Sequence, residues 1–360
     1  MSDLYSSMPG YQSKLELHGP RCKVATDTAI SIASSILQQI GVGTAIAQEV
    51  AEHLVESDLA GVESHGIMRV LQYAEQYSSG HLDPSGEPVF QVTKAGAPEV
   101  DGRGGIGIPA MRLAFNEACR IATETGMACL AIRDAGHTGR HGAFANWAAE
   151  QGFLTILLGG GKRHQWRQVA PYGGAKALLP TNPLCIGIPG GAHGANVADF
   201  ATSKIAGGWI YAAQAAGALL PENCVIDKHG QPTRKPQDYF DGGAILPFGG
   251  HKGFALALIG ELIGEAMLGP VSVECNWLLI CIDTRRFRSP NSMKVEAETI
   301  LSEIRNCPPA PGFQRVEIPG EREREHRSIA GNSITVPGKT WLKITDLARS
   351  LSQAKPIAPV

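Results

Sequence analysis

The sequence predicts an α/β protein in which a helical front precedes a sheet-containing body. Two observations carry this: apolar runs and helical periods alternate as β-α-β-α-β over residues 98–158, and before residue 80 apolar residues recur at helical spacing. Residues 1–25 mix Ser, Gly, Pro and charges and form a loose arm. Thr26 or Asp27 caps a first helix in which Ile32, Ile36, Leu37 and Ile40 share a face, and the glycines at 41 and 43 end it. A second helix covers 44–59 and a third 66–79, stopping before Gly80 and the Asp83-Pro84 turn. Short strands follow at 88–92 and 98–101, then a helix at 109–125, a buried strand at 127–133, a helix at 142–151 and a strand at 154–158. Strands near 185–188 and 197–200 extend the body. A Pro- and Gly-rich crossing at 220–250 leads to an apolar helix at 254–268, a strong strand at 277–283, a helix at 294–306 and a terminal helical piece. No internal repeat or low-complexity tract interrupts this order.

Composition narrows the function. At 360 residues the chain has room for about two packed units. With 32 basic and 34 acidic residues its net charge is -2, so no general field draws it to nucleic acid or an anionic membrane. The eight cysteines are scattered, with no Cys-x-x-Cys pair, which suits reduced thiols rather than a disulfide framework. The first 23 residues lack the apolar core of a signal peptide, and the stretch 254–268 is too short to span a bilayer and contains Glu261 and Glu265. A cytoplasmic enzyme is expected.

Several motifs carry chemistry, each beside a plainer reading. Gly102-Arg103-Gly104-Gly105-Ile106-Gly107 matches G-x-G-x-x-G, but the strand before it is short and polar; an ordinary glycine turn is the preferred reading. Ser64-His65-Gly66 stands at a loop-to-helix junction, with Arg69 about one turn later on the same face. An imidazole there suits proton transfer and a guanidinium suits a bidentate grip on a carboxylate, although a capping histidine and a surface arginine would look the same. Gly136-His137-Thr138-Gly139-Arg140-His141-Gly142 places polar groups in a loop after a strand, where α/β proteins bind ligands. Two His four apart could bind zinc on a helix, but the glycines argue for a loop and no carboxylate or thiolate completes the set. Gly159-Gly160-Gly161-Lys162-Arg163-His164, with Arg167, offers amides beside positive charge, either an anion cradle or a solvated basic turn. Leu246-Pro247-Phe248-Gly249-Gly250-His251-Lys252-Gly253 enters a helix through glycines, so its amides and Lys252 could meet a phosphate, or simply start a helix.

Taken in order, these segments resemble the type 2 malate/L-lactate dehydrogenase family over roughly residues 27–345. The resemblance also rests on Val169-Ala170-Pro171-Tyr172-Gly173-Gly174, Thr181-Asn182-Pro183, Asp199-Phe200-Ala201-Thr202-Ser203 and Ile318-Pro319-Gly320-Glu321-Arg322. It implies a homodimer with a mixed-sheet, non-Rossmann nicotinamide-binding body, NAD or NADP as cofactor, no metal, and a small 2-oxo or 2-hydroxy carboxylic acid as substrate. It implies four units: the arm 1–25, a helical substrate and dimer unit 26–90, a mixed α/β cofactor unit 91–270, and 271–360 as a strand plus helices completing the helical unit. By the same resemblance His65 is the proton donor or acceptor, Arg69 the carboxylate ligand, and His137 a wall near the nicotinamide; Asp199 joins them in the catalytic set. Ser64, Arg140, Lys162, Arg163, Thr181, Asn182, Val197, Asp199, Ala201, Thr202, Ser203, His251, Lys252, Gly320, Glu321 and Arg322 are implied cofactor contacts. The chain departs from the family pattern at Pro180, where the family usually has Gly, and at the glycines 159–161, where many members carry Asn.

A cyclic imino acid is the alternative substrate, since the same geometry serves C=N. A metal-dependent hydrolase using His137, His141 and His251, and a catalytically silent dimeric binding protein, are the readings from other classes.

Overall fold

The computed structural model describes residues 20–162 and 164–353. Its elements begin with β1 (Arg21–Ala25), α1 (Thr26–Gln39), α2 (Thr44–Leu59), α3 (Arg69–Ser78), β2 (Val89–Val92), β3 (Pro98–Asp101), α4 (Gly107–Thr125) and β4 (Met127–Ala135). The chain continues through α5 (His141–Glu150), β5 (Phe153–Gly161), β6 (Leu184–Ile188), β7 (Asn196–Phe200), α6 (Gly207–Ala216), β8 (Val225–Ile226), β9 (Pro232–Thr233), α7 (Pro236–Phe240) and β10 (Ala244–Ile245). It ends with α8 (His251–Glu261), β11 (Cys275–Asp283), α9 (Pro290–Arg305), α10 (Glu321–Ala330), β12 (Ser333–Pro337) and α11 (Gly338–Gln353).

The body is a seven-stranded mixed sheet in the order β2-β3-β4-β11-β5-β6-β7, with β3 and β4 parallel and the other neighbours antiparallel. Leu130, Leu279 and Leu157 lie in register across β4, β11 and β5, and all three are buried in the main core with α4 and α5. On the opposite face, Asn276 pairs with Gly160, and the Asn276 Nδ2 donates to the Gly264 carbonyl at 3.0 Å. Gly264 belongs to a π turn, Leu262–Met267, that continues α8. A Cβ on Gly160 would stand 2.7 Å from the Glu261 Cα, so glycine there lets this helix lie directly on the sheet.

Several expectations are corrected. The strand assigned to the C-terminal helical unit is β11, and it lies at the middle of the large sheet; its nearly continuous apolar run suits a strand covered on both faces. The last part of the expected arm, β1, pairs antiparallel with β12, while α1 packs on α11, so the first and last described elements close one helical layer. The crossing at 220–250 contains a small sheet, β10-β8-β9, over its own core of Val169, Leu179, Ile210 and Val225. Residues 102–107 form a packing turn, in keeping with the glycine-turn reading preferred for them. The Gly107 N–H donates to the His137 carbonyl at 3.1 Å, and a Cβ there would stand 2.3 Å from the Gly136 oxygen, so that amide is already occupied.

Candidate active site

The His65 turn is fixed from below by α2. Asp58, one residue before that helix ends, accepts the Ile67 N–H at 2.7 Å, and its carboxylate presses on Gly66, where a Cβ would stand 1.9 Å from Oδ1. Only glycine lets the chain pass so close. Burial pushes the Asp58 carboxyl up to about 7, with the Ile67 N–H opposing it. The turn then leads into α3, where the Arg69 Nε donates to the Ser64 carbonyl at 2.6 Å and Nη1 to Gln72 Oε1. The guanidinium is thereby oriented beside the imidazole it accompanies in sequence.

His65 stacks on His137, with ring centroids 5.5 Å apart and planes 28° apart. The Ser64 Oγ lies 3.0 Å from the His65 Nδ1, leaving Nε2 as the nitrogen available to a ligand. The Tyr73 hydroxyl lies 2.7 Å from the His137 Nδ1. Burial, and then the Arg69 charge, lower the His65 pKa to about 3; burial and Arg69 also hold His137 well below the ordinary imidazole value. Both rings are therefore neutral at neutral pH, each with an unprotonated, weakly basic nitrogen near a fixed cation.

The loop from His137 joins this cluster to a second one. Gly139 turns with φ +72°, and a Cβ there would stand 2.3 Å from the His53 Nε2, which accepts the Arg140 N–H at 2.9 Å. At the first turn of α5 the Gly142 N–H donates to the Asp199 Oδ2 at 2.6 Å, a carboxylate at a helix N-terminus. His141 Nε2 lies 2.7 Å from the Thr138 Oγ1, and its ring meets the edge of Trp277. Among the described residues no three His, Cys, Asp or Glu side chains stand together as a metal site, and His137, His141 and His251 form no such group.

A cleft of about 1470 Å³ receives part of the expected cofactor set. Arg140, Val197, Asp199, Gly320 and Arg322 line it, together with His53 and Arg324. Gly320 has φ +89° and opens α10 without a side-chain cap, while the Arg324 Nη1 donates to the Ala195 carbonyl at 2.7 Å. Arg140, Arg322 and Arg324 and the uncapped start of α10 offer donors of the kind a dinucleotide diphosphate takes, while Glu150, Asp199 and Glu323 line the same cleft.

The other expected contacts lie elsewhere. Glu321 pairs with Arg305 at 2.7 Å. Beyond β7, Ala201 to Ser203 run beside the 246–253 turn: Phe248 N–H donates to the Thr202 carbonyl at 3.0 Å and Phe200 meets Phe248 edge-on. The side chains of Asn182, Thr202 and Ser203 bond internally, to the Ala257, Thr181 and Ile205 carbonyls. His251 and Lys252 are exposed on the first turn of α8, with His251 against Tyr172. Lys162 donates to the Ser272 carbonyl at 2.8 Å, and Arg163 lies outside the described residues. The anion cradle expected at the glycines 159–161 is corrected: these residues are buried in β5 against β11, the Gly161 N–H donates to Glu261 Oε1, and Arg167 pairs with Glu261 at 2.6 Å.

Sequence reasoning missed Tyr73, Gln72 and His53. Tyr73 falls four residues after Arg69, a helical spacing that would have flagged it, whereas nothing in the sequence ties His53 to Arg140.

The profile of the malate/L-lactate dehydrogenases matches residues 24–345. The chain belongs to the malate/L-lactate dehydrogenase family. This dehydrogenase, an oxidoreductase by that membership, is 31% identical over 350 residues to an L-lactate dehydrogenase of Cupriavidus necator, covering 93% of this chain and 100% of the relative. It is 32% identical over 317 residues to a Δ1-pyrroline-2-carboxylate/Δ1-piperideine-2-carboxylate reductase of Pseudomonas putida, covering 83% and 89% of the two chains. Its fold is that of a malate dehydrogenase from Entamoeba histolytica, with a TM-score of 0.86 at 23% identity over 94% of this chain and all of the other.

Proposed function

We propose that this dehydrogenase moves a hydride between NADH or NADPH and a small 2-oxo or 2-hydroxy carboxylic acid, with Arg69 gripping the carboxylate and His65 handling the proton. The nicotinamide supplies the hydride when bound. The observation that carries the reading is the pairing of a neutral, stacked His65 with an Arg69 oriented through Ser64 and Gln72. In oxidation the His65 Nε2 accepts the hydroxyl proton, and Ser64 holds the other nitrogen. In reduction the substrate carboxylate on Arg69 offsets the second cause of the low His65 pKa, burial remaining the first, and to that extent raises the basicity of the ring that donates the proton. Tyr73, through His137, keeps the wall of the pocket in place.

Val197, Asp199, Gly320 and Arg322 would hold one part of the dinucleotide along the cleft, and Ser64 and Thr181, with Ala201 to Ser203 and the adjoining turn that carries His251 and Lys252, would meet the rest of it outside that cleft. A cyclic imino acid is the second reading. The Pseudomonas putida relative favours it, and so does the low pKa of His65, because a protonated imine arrives with its own proton. A homodimer in the cytoplasm completes the proposal. The exposed apolar residues Leu258, Ile259 and Leu262 of α8 and its continuation support the dimer.

The test is a panel of 2-oxo acids and cyclic imino acids, each followed by the loss of reduced-nicotinamide absorbance with both cofactors. Turnover of at least one 2-oxo acid is expected. Turnover of imines alone would favour the second reading, and absence of turnover with either class would overturn both.

A further inference from the structure

The face of α3 that starts at Arg69 runs on beyond the residues assigned so far. Arg69, Tyr73 and Gln76 fall at i, i+4 and i+7, one above the other. Gln76 is only 7% exposed; its Nε2 donates to Glu274 Oε1 at 2.7 Å, while its Oε1 has no partner among the described residues. Glu274 directly precedes β11, its own carbonyl accepts the Lys162 N–H, and His81 Nε2 lies 3.8 Å from its carboxylate. Tyr73 feels both ends of this wall: burial raises its hydroxyl pKa most, Arg69 opposes the rise and Glu274 adds to it. Among the described residues the nearby lysine and arginines have other partners. Lys162 Nζ donates to the Ser272 carbonyl, Arg167 pairs with Glu261 and Arg133 with Glu99.

A substrate with its carboxylate on Arg69 and its reacting carbon by His65 has the Tyr73-to-Glu274 wall left for its tail. We propose that Glu274, held by Gln76, is a specificity-determining residue that rejects a second anionic group and admits a neutral or N–H-bearing tail. The proposal rests on the reading of Arg69 as the carboxylate ligand. Its basis is electrostatic: a second carboxylate or sulfonate would meet a partly buried carboxylate where, among the described residues, the neighbouring lysine and arginines are already partnered and His81 already faces Glu274 itself, and like charges repel strongly where water is scarce. An imine or amine N–H would instead find acceptors in Glu274 and in the unpartnered Gln76 Oε1. The class selected is monocarboxylic 2-oxo acids and cyclic imino acids, against dicarboxylic ones.

The experiment measures binding of oxamate, a monoanion, and tartronate, a dianion, to the full chain with NADH or NADPH by calorimetry, alongside turnover of pyruvate and oxaloacetate. The wild type should prefer the monoanion of each pair. Glu274→Gln should shift the preference toward the dianion at least about tenfold, and Gln76→Glu should shift it the opposite way. Opposed shifts separate selection from structural damage, which would weaken both ligands together, and either variant alone suffices if the other fails to fold. A wild type that prefers the dianion, or a ratio the folded variants leave unmoved, would overturn the proposal while leaving the role of Arg69 standing. Failure of both analogues to bind would overturn the Arg69 reading as well.

Discussion

At the scale of single residues, the unusual feature is that the imidazole proposed to carry the proton is neutral in the free protein. Desolvation comes first and Arg69 second in lowering His65 to about 3, with His141 and Arg140 acting in the same direction. The sign of the pH dependence follows. A group with a depressed pKa is already a base throughout the neutral range, so kcat/KM for oxidation of a hydroxy acid should show no limb from His65 there. Reduction draws on the protonated ring, whose fraction falls about tenfold per pH unit above its pKa, so kcat/KM for an oxo acid should fall steadily as pH rises. Paired pH profiles check this. A reduction profile that is flat below about pH 6.5 would show an unshifted imidazole instead.

At the scale of elements, the turn between α2 and α3 does the positioning, and its tolerance is small. A methyl at residue 66 would overlap the Asp58 carboxylate, so Gly66→Ala should destabilise the fold by about 1–3 kcal/mol and lower kcat, read by thermal melting and steady-state kinetics. A stability and kcat equal to wild type would mean that Asp58 does not hold the turn. This scale also shows what could be read from the sequence. Helix α2 begins and ends where its periodicity places it, and His65 and Arg69 are legible as a pair because one helical turn joins them. The central place of β11 was not legible, because strand order depends on contacts distant in sequence. The glycines 159–161 misled for a local reason: a glycine run suits an exposed amide nest and a tightly covered strand equally well, and only the approach of the π turn at Gly264 decides between them.

At the scale of the whole molecule, the sheet holds two clusters in fixed relation, the His65–Arg69–His137 group and the Arg140–Asp199 group, through the single loop that begins α5. The outer face of α8 and its continuation is apolar: Leu258, Ile259, Leu262 and Met267 are between 41% and 59% exposed. A lone soluble protomer rarely leaves so contiguous a face uncovered. Sedimentation should therefore give a dimer, and Leu258→Asp with Leu262→Asp should shift it toward monomer; a monomeric wild type would exclude this face as the interface. The central claim is that His65 carries the proton of the reaction. It is tested most directly by comparing turnover in His65→Ala and wild type: a fall of about 10²–10⁴ in kcat is predicted, and a kcat within a few-fold of wild type would contradict it.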